Sequence, residues 1–147
     1  MPMACTTSLR RFAVLATAGW LACAFGTAAH AQQQPSIVGT WDWSRKADGC
    51  AEEYQFRDNG TVLVFSGAET FESKYRMAWT PESTGRYKLT LTRLKSEGER
   101  GCTERQPQAI GAERVFYVLF GGSRQTMILC DSPAEADCIG PLKRNER

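Results

Sequence analysis

Phe71-Glu72-Ser73-Lys74-Tyr75-Arg76-Met77-Ala78-Trp79 alternates between apolar and charged side chains. Phe71, Tyr75, Met77 and Trp79 fall on one face, and Glu72, Lys74 and Arg76 on the other. A period of two marks an extended strand with one wet face, because successive side chains leave the pleat on opposite sides. The same period recurs upstream. Ile37 to Trp43 places Ile37, Gly39, Trp41 and Trp43 together, and Ala51 to Arg57 sets Tyr54 and Phe56 against Glu53, Gln55 and Arg57. Asp58-Asn59-Gly60 predicts a tight hairpin, since Asn and Gly tolerate the positive φ that such turns require. Thr61 to Ser66 is the returning strand.

Downstream, Pro81 breaks the chain within a turn over residues 80–85, and Arg86 to Leu94 forms a fifth strand with Tyr87, Leu89 and Leu91 inward. Residues 96–111 are polar, carry Gly98, Gly101 and Pro107, and read as the one long loop. Arg114 to Phe120 is apolar on both faces, as expected of a strand that is well buried or covered by that loop. Gln125 to Cys130 is the seventh strand, and Cys138 to Arg144 the eighth, where Gly140-Pro141 suits an edge or a bulge. Helical periodicity of useful length is absent. The expected fold is all-β, an antiparallel up-and-down barrel of about eight strands, with a β-sandwich as the alternative.

The first 31 residues read differently. Arg10 and Arg11 precede an Ala/Leu/Val-rich stretch from Phe12 to Ala28, and Ala29-His30-Ala31 has the small-x-small pattern of a signal-peptidase site. The stretch is just long enough to span a bilayer, but Gly19, Gly26 and the placement of the site favour a cleaved export signal. The expected mature chain runs from 32 to 147 as one domain, with a periplasmic or secreted location and no membrane span after cleavage. Cleavage takes away two arginines and leaves sixteen basic residues against sixteen acidic ones. A nucleic-acid face would need clustered excess Lys and Arg, and none is present, so no nucleic-acid partner is expected.

Six cysteines become four on cleavage: Cys50, Cys102, Cys130 and Cys138. In a small exported domain an even count predicts disulfides, and the absence of any C-x-x-C argues against a metal site. In an up-and-down meander all four fall at the same end of the strands. Cys130 and Cys138 flank adjacent strands, which favours Cys130–Cys138 with Cys50–Cys102; Cys50–Cys138 with Cys102–Cys130 satisfies the same parity and stays open.

The only histidine, His30, lies in the signal, so the mature chain lacks the base of Ser-His and Cys-His catalysis and the usual ligand of catalytic zinc. Carboxylate pairs for glycoside chemistry could be drawn from Glu52, Glu53, Glu69 and Glu72, but no pair sits in a recognisable motif. Ser66-Gly67-Ala68-Glu69 reads as a hairpin tip, and Asn59-Gly60-Thr61 as a turn that happens to match a glycosylation sequon. No catalytic residue, metal or cofactor is therefore expected, and the chain is read as not an enzyme.

Gly39-Thr40-Trp41 at the opening of the first strand resembles the G-x-W of lipocalins and lipocalin-like domains. In that family the Trp closes the barrel floor against a basic residue from the end of the last strand, and Arg144 stands at the matching place here. The resemblance implies an antiparallel barrel with a floor of Gly39, Trp41 and Arg144 and an internal pocket. Trp43, Tyr54, Phe56, Phe71, Tyr75, Trp79 and Tyr87 could line such a pocket, or simply fill it, since an eight-stranded barrel is just wide enough for either. The expected role is non-enzymatic binding. The partner is then a small apolar ligand inside, or a protein at the disulfide-bound rim, as for an inhibitor or immunity-type module that uses residues 96–111.

Overall fold

A computed structural model describes residues 34–102, 108–134 and 137–146. The expected export signal, with Cys5, Cys23 and His30, lies outside the described residues. Eight strands follow one another: β1 (Gly39–Ser44), β2 (Ala51–Phe56), β3 (Thr61–Ser66), β4 (Glu69–Met77), β5 (Tyr87–Gly98), β6 (Glu113–Phe120), β7 (Thr126–Cys130) and β8 (Cys138–Asn145). Each pairs antiparallel with the next, and β8 pairs with β1, so the sheet closes into an up-and-down barrel. That closing ladder, Thr40 opposite Asn145 and Trp41 opposite Arg144, sets the sandwich alternative aside.

The lower end is sealed by Trp41, which is fully buried. Its indole N–H donates to the Ile37 carbonyl at 2.8 Å, and its ring meets Phe120 at 6.1 Å between centroids. Arg144 lies with its guanidinium carbon 4.2 Å from the Trp41 ring centroid and donates to the carbonyls of Val38 (2.7 Å) and Ser36 (2.8 Å). Gly39 has φ +133°, and a Cβ there would stand 2.5 Å from an Arg144 nitrogen, so a side chain would both strain the backbone and displace the guanidinium. Above this floor Phe56, Val62, Val64, Leu89, Val118, Met127, Leu129 and Leu142 are buried. Tyr75 packs edge-on to Phe56 at 5.2 Å, and Tyr87 meets Phe120 at 6.0 Å. The lower barrel is therefore a filled core in which each fully buried aliphatic side chain contributes about 1.5–3 kcal/mol of transfer free energy.

The upper end carries both disulfides, Cys50–Cys102 and Cys130–Cys138, the pairing favoured by Cys130 and Cys138 flanking adjacent strands. Arg45 donates to the Cys102 carbonyl at 3.0 Å and also to the Asp48 carboxylate, and the hydrogen bond to Asp48 is the chief cause that holds that carboxyl down at about 2.

Most strand ends differ from those expected by a residue or two, and the ends of β4 and β5 differ in ways that bear on the barrel interior. β5 does not stop at Leu94 but continues to Gly98 along the start of β4. The β4–β5 register shifts between Glu72 and Ser73, where Leu94 is passed over. This bulge lets Ser96 oppose the inward Phe71 while Lys95 and Glu97 stay outside with Glu72 and Thr70. β4 in turn ends at Met77, and Trp79 is 84% exposed. The alternation runs past the last ladder pair, Met77 with Leu89, and chain beyond the last pair has no barrel to face. Trp79 is thus outside the barrel and lines no internal pocket.

Candidate functional site

Cross-strand register carries polar side chains into the upper barrel. Glu52 stands opposite Ser66, Ser66 opposite Glu69, and Glu69 opposite Gly98, so four neighbouring strands meet at one level. Two residues further down each strand, the inward level is Tyr54, Val64, Phe71 and Ser96; the next is Phe56, Val62, Ser73 and Arg93. Glu52, Ser66, Glu69, Ser73 and Arg93 are all buried.

Two networks organise this wall. Glu52 accepts from Ser66 Oγ at 2.6 Å and from Tyr54 OH at 2.7 Å, and Ser66 Oγ itself accepts the Cys102 backbone N–H at 2.9 Å. The disulfide loop is thereby keyed to the carboxylate. Glu69 accepts from Ser96 Oγ at 3.0 Å and lies 3.5 Å from Arg93 Nη1. The Arg93 guanidinium stacks on Phe71, 3.5 Å from the ring centroid. Across the barrel, Arg114 donates to Asp131 at 2.9 Å and lies over Phe116 at 4.5 Å. Between these walls is a cavity of about 80 Å³.

Arg93 is the anomaly. Its side chain is 7% exposed, yet Nε and Nη1 are buried without a hydrogen-bond partner among the described residues. Burial pulls its pKa below the usual arginine value, and the charge of Glu69 opposes that pull. Arg93 lines the cavity and carries donor capacity that no described side chain takes up.

Tyr54 responds in the opposite sense. Burial first, and then the charge of Glu52, pushes its phenol well above the ordinary value of 10.0. Between the unfolded pKa and the folded one, the native state keeps a proton that the unfolded chain has lost, so stability falls as pH rises. Above pH ~10 the unfolding free energy should drop by up to ~1.4 kcal/mol per pH unit from this group alone. Ultraviolet difference titration of the phenols, run beside urea unfolding at pH 9 to 11, checks it. A Tyr54 that ionises with the exposed phenols would contradict it.

The expected pocket residues divide among three places. Tyr54 and Phe71 line the upper cavity, Phe56, Tyr75 and Tyr87 belong to the lower core, and Trp43 is half-buried near the rim, opposite Glu52 in the β1–β2 ladder. Trp79 belongs to none of them. The floor residues Gly39, Trp41 and Arg144 lie at the far end from the cavity. Sequence reasoning missed Arg93, Ser73 and Ser96. A signal for Arg93 was present, because it continues the inward series Tyr87, Leu89, Leu91 by one more step of two. Among the described residues no three His, Cys, Asp or Glu side chains gather as a metal site. Compared with protein-family models, with curated proteins and with solved structures, the chain finds no match.

Proposed function

We propose that this is an exported, non-enzymatic binding protein of lipocalin-like type that holds a small ligand in the upper half of its barrel. The observation that carries the reading is the roughly 80 Å³ cavity under the disulfide rim, walled by buried charged groups with donors to spare. Export is supported by the leader pattern of residues 1–31 and by two disulfides, which persist in oxidising compartments. Lipocalin-likeness is supported by the G-x-W opening of β1, the closed meander, and Arg144 over Trp41. A non-enzymatic role fits carboxylates that are engaged by neighbouring hydroxyls, with no histidine in the mature chain to serve as base. The charged lining shifts the expected ligand from an apolar compound to a small polar one.

Thermal unfolding of the mature protein with a panel of small polar organic compounds tests this. At least one should raise the melting temperature of the wild type, and Ser73→Leu, which fills the cavity, should abolish that rise. A flat panel, or an equal rise in the variant, would overturn the reading. A second reading, a protein docked at the rim, draws on Ile110, which is 64% exposed in the β5–β6 connection. It requires that Ile110→Asp remove capture of a partner by the immobilised protein, while Ser73→Leu leaves capture intact.

A further inference from the structure

The two walls of the cavity ask for different things. On the β5 side, Arg93 has five N–H donors and no side-chain hydrogen bond among the described residues; its polar neighbour, Glu69, is 3.5 Å away. A buried donor left unsatisfied costs about 1–3 kcal/mol, more for a charged group. Oxyanions are the strongest acceptors for a guanidinium. On the β2–β4 side, Glu52 and Glu69 are both buried, and the donors nearest them are chiefly the hydroxyls of Tyr54, Ser66 and Ser96, which bring no charge. Arg114 is engaged by Asp131. Arg93 is paired with Glu69, and Glu52 is met by hydroxyls, which leaves one buried carboxylate without a countercharge among the described residues on this wall.

A bare anion would satisfy Arg93 but add to that uncompensated charge where the dielectric is low and repulsion strong. A bare cation would compensate it but leave the Arg93 donors empty. A ligand carrying both groups answers both walls at once. Size narrows it further: at roughly 10–15 Å³ per water-sized group, the cavity of about 80 Å³ holds about five to eight non-hydrogen atoms. Phe71, Phe116, Leu129 and Ile139 offer an apolar surface for one or two carbons.

We propose that the cavity takes a small zwitterion of the amino-acid class, its carboxylate on Arg93 and its ammonium on the Glu52–Glu69 wall. The proposal rests on the small-ligand reading above and names the ligand class for that same site.

Calorimetric titration of the mature protein with matched probes decides it. Glycine, L-alanine and β-alanine carry both charges, acetate and propionate only the carboxylate, methylamine and ethylamine only the ammonium. At least one zwitterion should bind, and at least about tenfold tighter than the acid or amine of its size. Arg93→Met and Glu69→Gln should each weaken that binding by about ten- to a hundredfold, the worth of one charged hydrogen bond. Arg93→Met alone leaves Glu69 buried without its countercharge and is expected to lose stability, so the double variant Arg93→Met/Glu69→Gln, which removes both partners, separates binding from scaffolding. The double variant should bind the zwitterion at least about tenfold more weakly than the wild type; undiminished binding by the folded double variant would overturn the proposal. The probe series uses the wild type, so it decides even if a variant fails to fold. Acetate or methylamine binding as tightly as glycine, or no zwitterion binding at all, would overturn it. A shift from some uncharged member of the earlier panel, lost in Ser73→Leu, would then leave the small-ligand reading standing and remove only the zwitterion.

Discussion

Trp41→Ala is expected to lower the unfolding free energy by about 3–5 kcal/mol, the range for truncating a large buried aromatic. Trp41 is fully buried, packs on Phe120, and lies beneath Arg144 across the β1–β8 seam. Its removal would open a void at the one ladder that joins the two ends of the sheet. It would also leave the Ile37 carbonyl without the indole donor that now reaches it at 2.8 Å. Domains of this size are stable by only about 5–15 kcal/mol, so this single change would consume about a fifth or more of the total. Trp41→Phe should cost less, about 1–3 kcal/mol, because it keeps most of the ring and loses mainly the satisfied carbonyl. Equilibrium urea unfolding of the two variants beside the wild type gives both numbers. A loss below about 1 kcal/mol for Trp41→Ala would mean that the floor does not hold the barrel closed.

The two disulfides should contribute unequally. Cross-linking stabilises chiefly by restricting the unfolded chain, and the effect grows with the length of the closed loop. On that account Cys50–Cys102, with a sequence separation of 52, is worth about 4 kcal/mol, and Cys130–Cys138, with a separation of 8, about 2.5 kcal/mol. Paired Cys→Ala variants, one for each bond, should show this order in their urea midpoints. The longer link has a second consequence. It anchors Cys102, whose backbone N–H bonds to Ser66 Oγ, which in turn donates to Glu52. Losing it should therefore loosen the cavity wall as well as the fold, whereas the loss of Cys130–Cys138 should leave that chain of bonds in place. Equal midpoints for the two paired variants would count against the loop-length account.

How much was legible differs between the fold and the site. The period of two in residues 71–77, the Asn59-Gly60 turn and the Gly/Pro punctuation are local properties, and each marks a strand or a turn that the structure contains. Strand parity then placed all four cysteines at one end, the adjacent strands flanked by Cys130 and Cys138 favoured joining those two, and the structure has that pairing. Trp79 shows where local reading overreached. Its position in the alternation is right, but the barrel ends at Met77, and an inward phase buries nothing without a strand opposite.

The site shows the same limit from the other side. Glu52, Glu69 and Arg93 look like the solvated charges of any half-exposed strand, and only their phase separates them from Glu53, Glu72 and Lys95. Phase is readable within one strand, but the bulge at Leu94 resets it within β5 and brings Ser96 inward beside Glu69. Whether an inward charge is buried depends on what the neighbouring strands place at its level, and that is set by register across the sheet.

The sequence by itself determined eight strands in a closed or stacked antiparallel order and a cysteine-bearing end opposite a Trp41 end. Only the tertiary structure decided that the barrel closes, that its lower half is packed solid, and that its upper half encloses charge. The physical reason is range: strand period and turn chemistry act over a few neighbouring residues, whereas burial and charge pairing are set by residues tens of positions apart that meet only when β8 closes against β1.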